Sequence, residues 1–229
     1  MNPMDPNLAQ LELIAKKLGD RANDFVFVGG CAVGLLISDH ARPPVRATMD
    51  VDVIAEVATL AKYYELQGQL KALGFTEDPE VICRWRSGEV RLDVMPANEN
   101  ILGFTNVWYE KAAATASAYS LPSGQLIRLI SPPLLIATKL VAFHGRGKGD
   151  YAGSHDIEDM VTIVDGRHEL IDEIGSSDVE VRTYLVDEFD TLLGTPPFVD
   201  ALPSHFLGDA ANQGRVPIVL ERMRKVAGF

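Results

Sequence analysis

The chain has 229 residues, of which 47% are hydrophobic, and 21 Lys and Arg stand against 32 Asp and Glu for a formal charge of −11. That balance builds a packed core and excludes a disordered chain, and the length suits one large domain or a catalytic domain followed by a helical one. The acidity argues against a general nucleic-acid-binding module, since polyanion binding needs Lys and Arg at the phosphates, although a local basic patch suffices for a nucleic-acid substrate.

Residues 1–10 lack a basic stretch followed by an apolar run, so no signal peptide is expected. Apolar periodicity then predicts a helix over 8–18, with Leu8, Leu11, Ile14, Ala15 and Leu18 on one face. A buried strand follows at 25–28, stops at Gly29-Gly30, and leads into a short buried helix over 31–37 that begins with Cys31. Pro43-Pro44 requires a loop. Asp50-Val51-Asp52-Val53-Ile54 alternates acid and apolar residues as a strand does. An amphipathic helix over 60–73 closes at Gly74, and strands over 81–86 and 89–94 turn around Ser87-Gly88. The stretch 108–121 reads as a short strand or irregular segment before a strand at 126–129.

From Ser131-Pro132-Pro133, a helix start, the character is helical: 134–144, 154–164, 169–174, 178–193 and 213–226, with a Gly-rich basic loop at 145–153. Cys31 and Cys83 read as buried, unpaired thiols with no zinc spacing. No apolar run approaches the ~20 residues of a membrane span, so a cytoplasmic protein is expected.

Asp50 and Asp52 lie two apart on a strand, so both carboxylates leave one face, their Cα atoms roughly 6–7 Å apart. Asp93 stands between Leu92 and Val94 in the second hairpin strand. If that strand lies beside the first, three carboxylates converge, and like charges so placed either raise a pKa or attract a cation. Oxygen-only ligands suit Mg²⁺, with Mn²⁺ as an alternative, and two such ions stabilise the attacking and leaving oxygens of a phosphoryl displacement. Gly29-Gly30, between a strand and a helix, allows close backbone approach and presents N–H groups to an anion. Arg46 is placed to neutralise phosphate charge. Taken singly, each feature has a plainer reading: a solvated strand face, a tight turn, a surface charge. A Rossmann dinucleotide site is a rival reading, and glycines at 29, 30 and 34, which do not form G-x-G-x-x-G, count against it.

Gly29-Gly30-Cys31-Ala32-Val33 followed by Arg46-Ala47-Thr48-Met49-Asp50-Val51-Asp52-Val53 resembles the G-G-x-A … R-x-T-x-D-x-D signature of minimal nucleotidyltransferases of the DNA polymerase beta-like superfamily. The branch it resembles is the AbiEii type, known mainly as toxins of bacterial toxin–antitoxin pairs. The resemblance covers residues 25–56 and extends to 81–96 and 131–165. It implies an α+β fold, with a catalytic domain over 1–130 (mixed sheet flanked by helices) and a mainly helical domain over 131–229. It implies a Mg²⁺-dependent enzyme that moves a nucleoside monophosphate from an NTP such as ATP to a hydroxyl, and a cognate antitoxin as partner. Asp50, Asp52 and Asp93 would be catalytic and bind metal, with Asp93 taking the proton. Gly29, Gly30, Arg46 and Thr48 would bind the nucleotide. Lys139 would match the family's helical lysine, Arg146 its basic residue, and Asp156 and Asp159 its acidic segment.

The sequence departs from the pattern in its long gap with Pro43-Pro44, in Gly where Ser is usual, and in His155 where a Lys or Arg is expected. Lys139 also reads as a lysine reaching the surface from an apolar helix, and the two aspartates as helix-start acids. Arg84-Trp85-Arg86 reads as a solvated hairpin or an acceptor contact. The acceptor stays open between RNA, a protein hydroxyl and a small molecule such as an aminoglycoside. The alternative to an enzyme is a non-catalytic nucleotide- or partner-binding protein that keeps the fold.

Overall fold

The computed structural model describes residues 5–39, 41–103 and 105–228. Packing divides them into a sheet unit, from Pro3–Gly34 and Pro44–Ser131, and a helical unit, from Leu35–Pro43 and Pro132–Phe229. The fold is α+β, with a mixed seven-stranded sheet flanked by helices.

The sheet unit opens with α1 (Leu8–Leu18), which buries Leu11, Ile14, Ala15 and Leu18, and a 3₁₀ turn at Gly19–Asp24. β1 (Phe25–Val28) is buried along its whole length, as expected of a strand covered on both faces. α2 (Gly29–Leu36) starts at the glycines themselves, two residues before the expected start. β2 (Asp50–Ala55) leads to α3 (Leu60–Ala72), whose first turn is capped by the Thr59 hydroxyl accepting from Lys62 N–H. Then come β3 (Thr76–Glu77), β4 (Arg84–Ser87), β5 (Val90–Pro96), α4 (Glu99–Leu102), α5 (Tyr109–Thr115), β6 (Ser117–Ser120) and β7 (Leu126–Leu129). The order across the sheet is β3-β4-β5-β2-β1-β7-β6. β2 runs parallel to β5 and β1 parallel to β7, and the other pairs are antiparallel. Val51, Val53, Leu92 and Val94 are completely buried.

Two expectations for this unit are corrected. Ser87 pairs with Val90, so the hairpin turn is Gly88-Glu89, one residue later than expected. Gly88 takes φ +60° at the first central position, which glycine adopts without strain. The stretch 108–121 is a helix followed by a strand. The run Ala112-Ala113-Ala114 has the highest helix propensity, and Ala112 and Ala113 supply the buried face of α5.

The helical unit contains α6 (Pro132–Arg146), α7 (His155–Gly166), α8 (Leu170–Gly175), α9 (Val179–Leu193), α10 (Pro196–Ala201), α11 (Ala210–Gln213) and α12 (Val216–Ala227). α6 packs on α7 and α9, and α12 packs on α9. Pro132 and Pro133 begin α6, where no intrahelical N–H is required. Ser154 and Asp178 cap α7 and α9 with their side-chain oxygens.

Charge ties Leu35–Pro43 into this unit. The Arg42 guanidinium donates to Asp165 Oδ2 at 2.9 Å and to the Thr162 hydroxyl at 2.8 Å. Arg215 donates to both oxygens of Asp165 and to Asp39. Ser38 and Asp39 donate their backbone N–H groups to the Gly166 carbonyl. A Cβ on Gly166 would stand 2.8 Å from Arg42 Cδ and from Ile37 Cδ1, so only glycine allows the approach. Asp165 is 1% exposed and held between two arginines. No helix among the described residues is long and apolar enough to cross a membrane.

Removing one member of a buried ion network strands the others without partners. Asp165→Ala is therefore expected to cost about 3–5 kcal/mol, read as a lower midpoint in thermal or urea unfolding.

Asp5 gives a pH-dependent counterpart. Its Oδ1 accepts from Asn7 N–H at 2.9 Å, while Oδ2 is buried where a side chain on Gly34 would lie. Burial raises its pKa, outweighing the Asn7 hydrogen bond. A raised folded-state pKa contributes stability at low pH that is lost as pH rises through it. Asp5→Asn keeps the acceptor for Asn7 and removes the charge. It is expected to raise the melting temperature near pH 7, by a margin that shrinks as pH falls to about 4, where free aspartate itself protonates.

Candidate functional site

The site is built from strand register. On β2 the acids alternate with Val51 and Val53, so the valines enter the core and Asp50 and Asp52 leave the other face. β5 pairs with β2 so that Asp93 lies directly opposite Asp52, and Arg91 opposite Asp50. On the far side of β5, Arg84 of β4 is opposite Asp93. On the far side of β2, Val28 of β1 is opposite Asp52. One cross-strand row therefore reads Arg84, Asp93, Asp52, Val28, with neighbouring strands about 4.8 Å apart. Asp93 is 8% exposed, and Asp50 and Asp52 are half-buried.

The row ends at a glycine where any side chain would be strained. Gly29 has φ +72°, and a Cβ there would stand 1.9 Å from Asp52 Oδ2. The Asp52 carboxylate thus lies against the backbone at the start of α2, whose first N–H groups have no intrahelical acceptor and carry partial positive charge. Gly30 is the second residue of that turn and is buried.

Arg84 compensates the other two acids. Its Nε donates to Asp93 Oδ1 at 2.7 Å, and one terminal nitrogen donates to Asp93 Oδ2 and to Asp50 Oδ2, each at 2.7 Å. The hydrogen bond to Asp93 is the largest influence on the guanidinium and raises its pKa, with the charges of Asp93 and Asp50 adding to it. Burial pushes the adjacent Cys83 thiol up to about 11, with the Asp93 charge contributing, so Cys83 stays protonated at neutral pH, and both cysteines are buried. Trp85 is 1% exposed, and Arg86 pairs with Asp78 at 2.6 Å. Strand alternation sends Trp85 into the core, against the solvated-hairpin reading, and both arginines to the acidic face, where Arg86 stays exposed as that reading expects.

Among the described residues, no three His, Cys, Asp or Glu side chains form a ready-made metal site. The chemistry of the donors nevertheless fits a hard cation. All three side chains offer carboxylate oxygen, and a guanidinium already stands as the positive charge between Asp50 and Asp93.

The loop before β2 is braced from α1. Asn7, fully buried, donates to the Arg46 carbonyl at 2.9 Å and accepts from Thr48 N–H at 2.8 Å. Gln10 donates to the Thr48 carbonyl and hydroxyl, and that hydroxyl donates to the Asp50 carbonyl at 3.0 Å. Thr48 thereby fixes the entry to β2. Asn7 and Gln10 escaped the sequence reading. Asn7 occupies a helix N-cap position and would be read as a cap, yet its side chain makes no capping bond.

The remaining expected residues belong to the helical unit. Lys139 of α6 contacts Asp159 at 2.6 Å and Asp156 at 3.5 Å, and Arg146 donates two bonds of 2.9 Å to Asp156. Burial alone would raise the Asp156 pKa, but Arg146 and Lys139 together hold it below the usual carboxylate range. Lys139 is 8% exposed and does not reach the surface. This cluster lies wholly within the helical unit. His155 is at the exposed start of α7, 3.1 Å from Glu158.

No protein-family model matches the chain, and no curated protein matches it. Solved structures similar to it include an antigenic nucleotidyltransferase-like protein from Paracoccidioides brasiliensis, 21% identical with a TM-score of 0.49 over 83% of this chain and 90% of that one. ANT(2")-Ia, solved in complex with adenylyl-2"-tobramycin, is 18% identical with a TM-score of 0.44, over 77% and 93% of the two chains. JHP933 from Helicobacter pylori is 11% identical with a TM-score of 0.45, over 96% and 89%.

The contact between Gly29 and Asp52 is open to a double-mutant cycle. Gly29→Ala is expected to cost the left-handed backbone penalty of about 1–2 kcal/mol plus the clash with the carboxylate. In an Asp52→Ala background only the backbone part should remain, so unfolding midpoints of the four proteins should be non-additive.

Proposed function

We propose that the chain is a divalent-cation-dependent nucleotidyltransferase, which transfers a nucleoside monophosphate from an NTP to a hydroxyl acceptor. One observation carries the proposal: Asp50 and Asp52 share a sheet face with Asp93 of the neighbouring parallel strand, beside a glycine that admits Asp52 to the start of α2. Asp50, Asp52 and Asp93 would hold Mg²⁺ or Mn²⁺. The cation would neutralise charge on the phosphates and on the attacking and leaving oxygens.

The chain's own residues do the rest. The backbone of Gly29 and Gly30 and the first turn of α2 receive the phosphates. The acceptor oxygen bonds to the α-phosphorus and the bond to the β-phosphate bridging oxygen breaks. Pyrophosphate leaves, and the hydroxyl proton passes to the Asp93 carboxylate. Positioning and charge neutralisation supply most of the rate. Arg46, Lys139, Asp156 and Asp159 are assigned to nucleotide contacts by the resemblance. That resemblance also assigns the chain a toxin's role with a cognate antitoxin.

The hold of Arg84 on Asp50 and Asp93 favours a second reading, a non-catalytic nucleotide- or partner-binding protein that keeps this sheet. Incubation with each α-labelled NTP, Mg²⁺ and a cell extract separates the two. Transfer is expected, with label in RNA, protein or small molecules identifying the acceptor, and chelation abolishing it. Asp52→Ala should lower it at least about a hundredfold, the scale of losing one transition-state contact. Nucleotide binding without transfer, or labelling unchanged by Asp52→Ala, would sink the catalytic reading.

A further inference from the structure

Arg84 is fixed in place by more than its own length. Its register partner on β5 is Asp93 itself. The Arg84 carbonyl accepts from Asp78 N–H at 2.9 Å, its N–H donates to the Val81 carbonyl at 3.0 Å, and Val94 N–H donates to the neighbouring Cys83 carbonyl at 2.8 Å. The backbone is pinned, so only the side chain is free to change position. That side chain uses both Asp93 oxygens in a fork, the strong planar pairing peculiar to arginine. The same nitrogen that reaches Asp93 Oδ2 also reaches Asp50 Oδ2.

We propose that Arg84 is an internal counter-ion that competes with the divalent cation for Asp50 and Asp93, so that loading the site requires the guanidinium to release both carboxylates. The inference rests on the reading of these acids as metal ligands. Mutual exclusion follows from space. A hard cation must come within about 2.0–2.6 Å of each carboxylate oxygen, and the gap between Asp50 Oδ2 and Asp93 Oδ2 is filled by a nitrogen 2.7 Å from each. It also follows from charge, because a second cation beside the guanidinium would be repelled. Asp52 stands apart from this bridge, against Gly29.

Two consequences differ from those of a merely structural arginine. The unloaded wild-type fold should need no metal, since Arg84 already compensates two acids. Its metal affinity should be reduced by the fraction of time the acids are released.

The test compares full-length wild type with Arg84→Gln and Arg84→Lys, with Asp52→Asn as a control. Mn²⁺ binding is read from the electron paramagnetic resonance signal of free Mn²⁺, and thermal unfolding is recorded in EDTA and in Mg²⁺. Arg84→Gln is expected to bind Mn²⁺ at least about tenfold more tightly than wild type. It should melt lower in EDTA and recover in Mg²⁺ by a larger shift than wild type shows. Arg84→Lys keeps the charge without the fork and should fall between them; if Arg84→Gln does not fold, the Lys variant alone decides by binding Mn²⁺ more tightly than wild type. Equal or weaker Mn²⁺ binding in the folded Arg84 variants, with wild-type binding lost in Asp52→Asn, overturns the competition and leaves the metal reading intact. Mn²⁺ binding that no variant, Asp52→Asn included, changes removes the metal reading and this inference together.

Discussion

Carboxylates gathered on one sheet face require positive charge among them, and that requirement organises the centre of this molecule. Asp50 and Asp52 share a face because a strand alternates, and Asp93 joins them because β5 pairs with β2 in parallel. The fold supplies the compensation twice over. Arg84 bridges Asp50 and Asp93, while Asp52 rests at the start of α2. Like charges left facing one another would shift their pKa values or loosen the sheet.

Around this centre the sheet order sets what each neighbour offers. β1 lies beside β2 and ends at Gly29, so the glycine turn stands next to Asp52. β4 lies beside β5, so an arginine stands next to Asp93. The acids are therefore flanked by backbone N–H groups on one side and by a guanidinium on the other. Asn7 and Gln10, reaching from α1, hold the loop that delivers the chain to β2. The positions of Asp50 and Asp52 thus depend on residues more than 35 positions away as well as on their own strand.

The helical unit solves the same problem in its own interior. Asp165, nearly inaccessible, is held between Arg42 and Arg215, and Asp156 between Lys139 and Arg146. A chain with 32 acidic residues and a formal charge of −11 still pairs these buried acids with bases. Apart from Asp5, its excess negative charge is left to the surface, where water screens it.

Local rules were enough for much of this. Period-two alternation placed Asp50 and Asp52 on one face, and 3.6-residue periodicity with caps and prolines located the long helices within a few residues. The glycines after β1 declared a special turn. Pairing between distant strands obeys no such local rule. That β5 lies beside β2 with Asp93 opposite Asp52 was a condition in the sequence, and the tertiary structure decided it. A turn at Ser87-Gly88 would have placed Arg84 opposite Arg91. The actual turn, one residue later, places it opposite Asp93, because each residue of slip moves every partner along the ladder. Asn7 escaped the sequence reading because its partners, Arg46 and Thr48, are brought to it only by packing. Periodicity is a property of neighbours along the chain, whereas register and charge pairing depend on which segments finally share a surface.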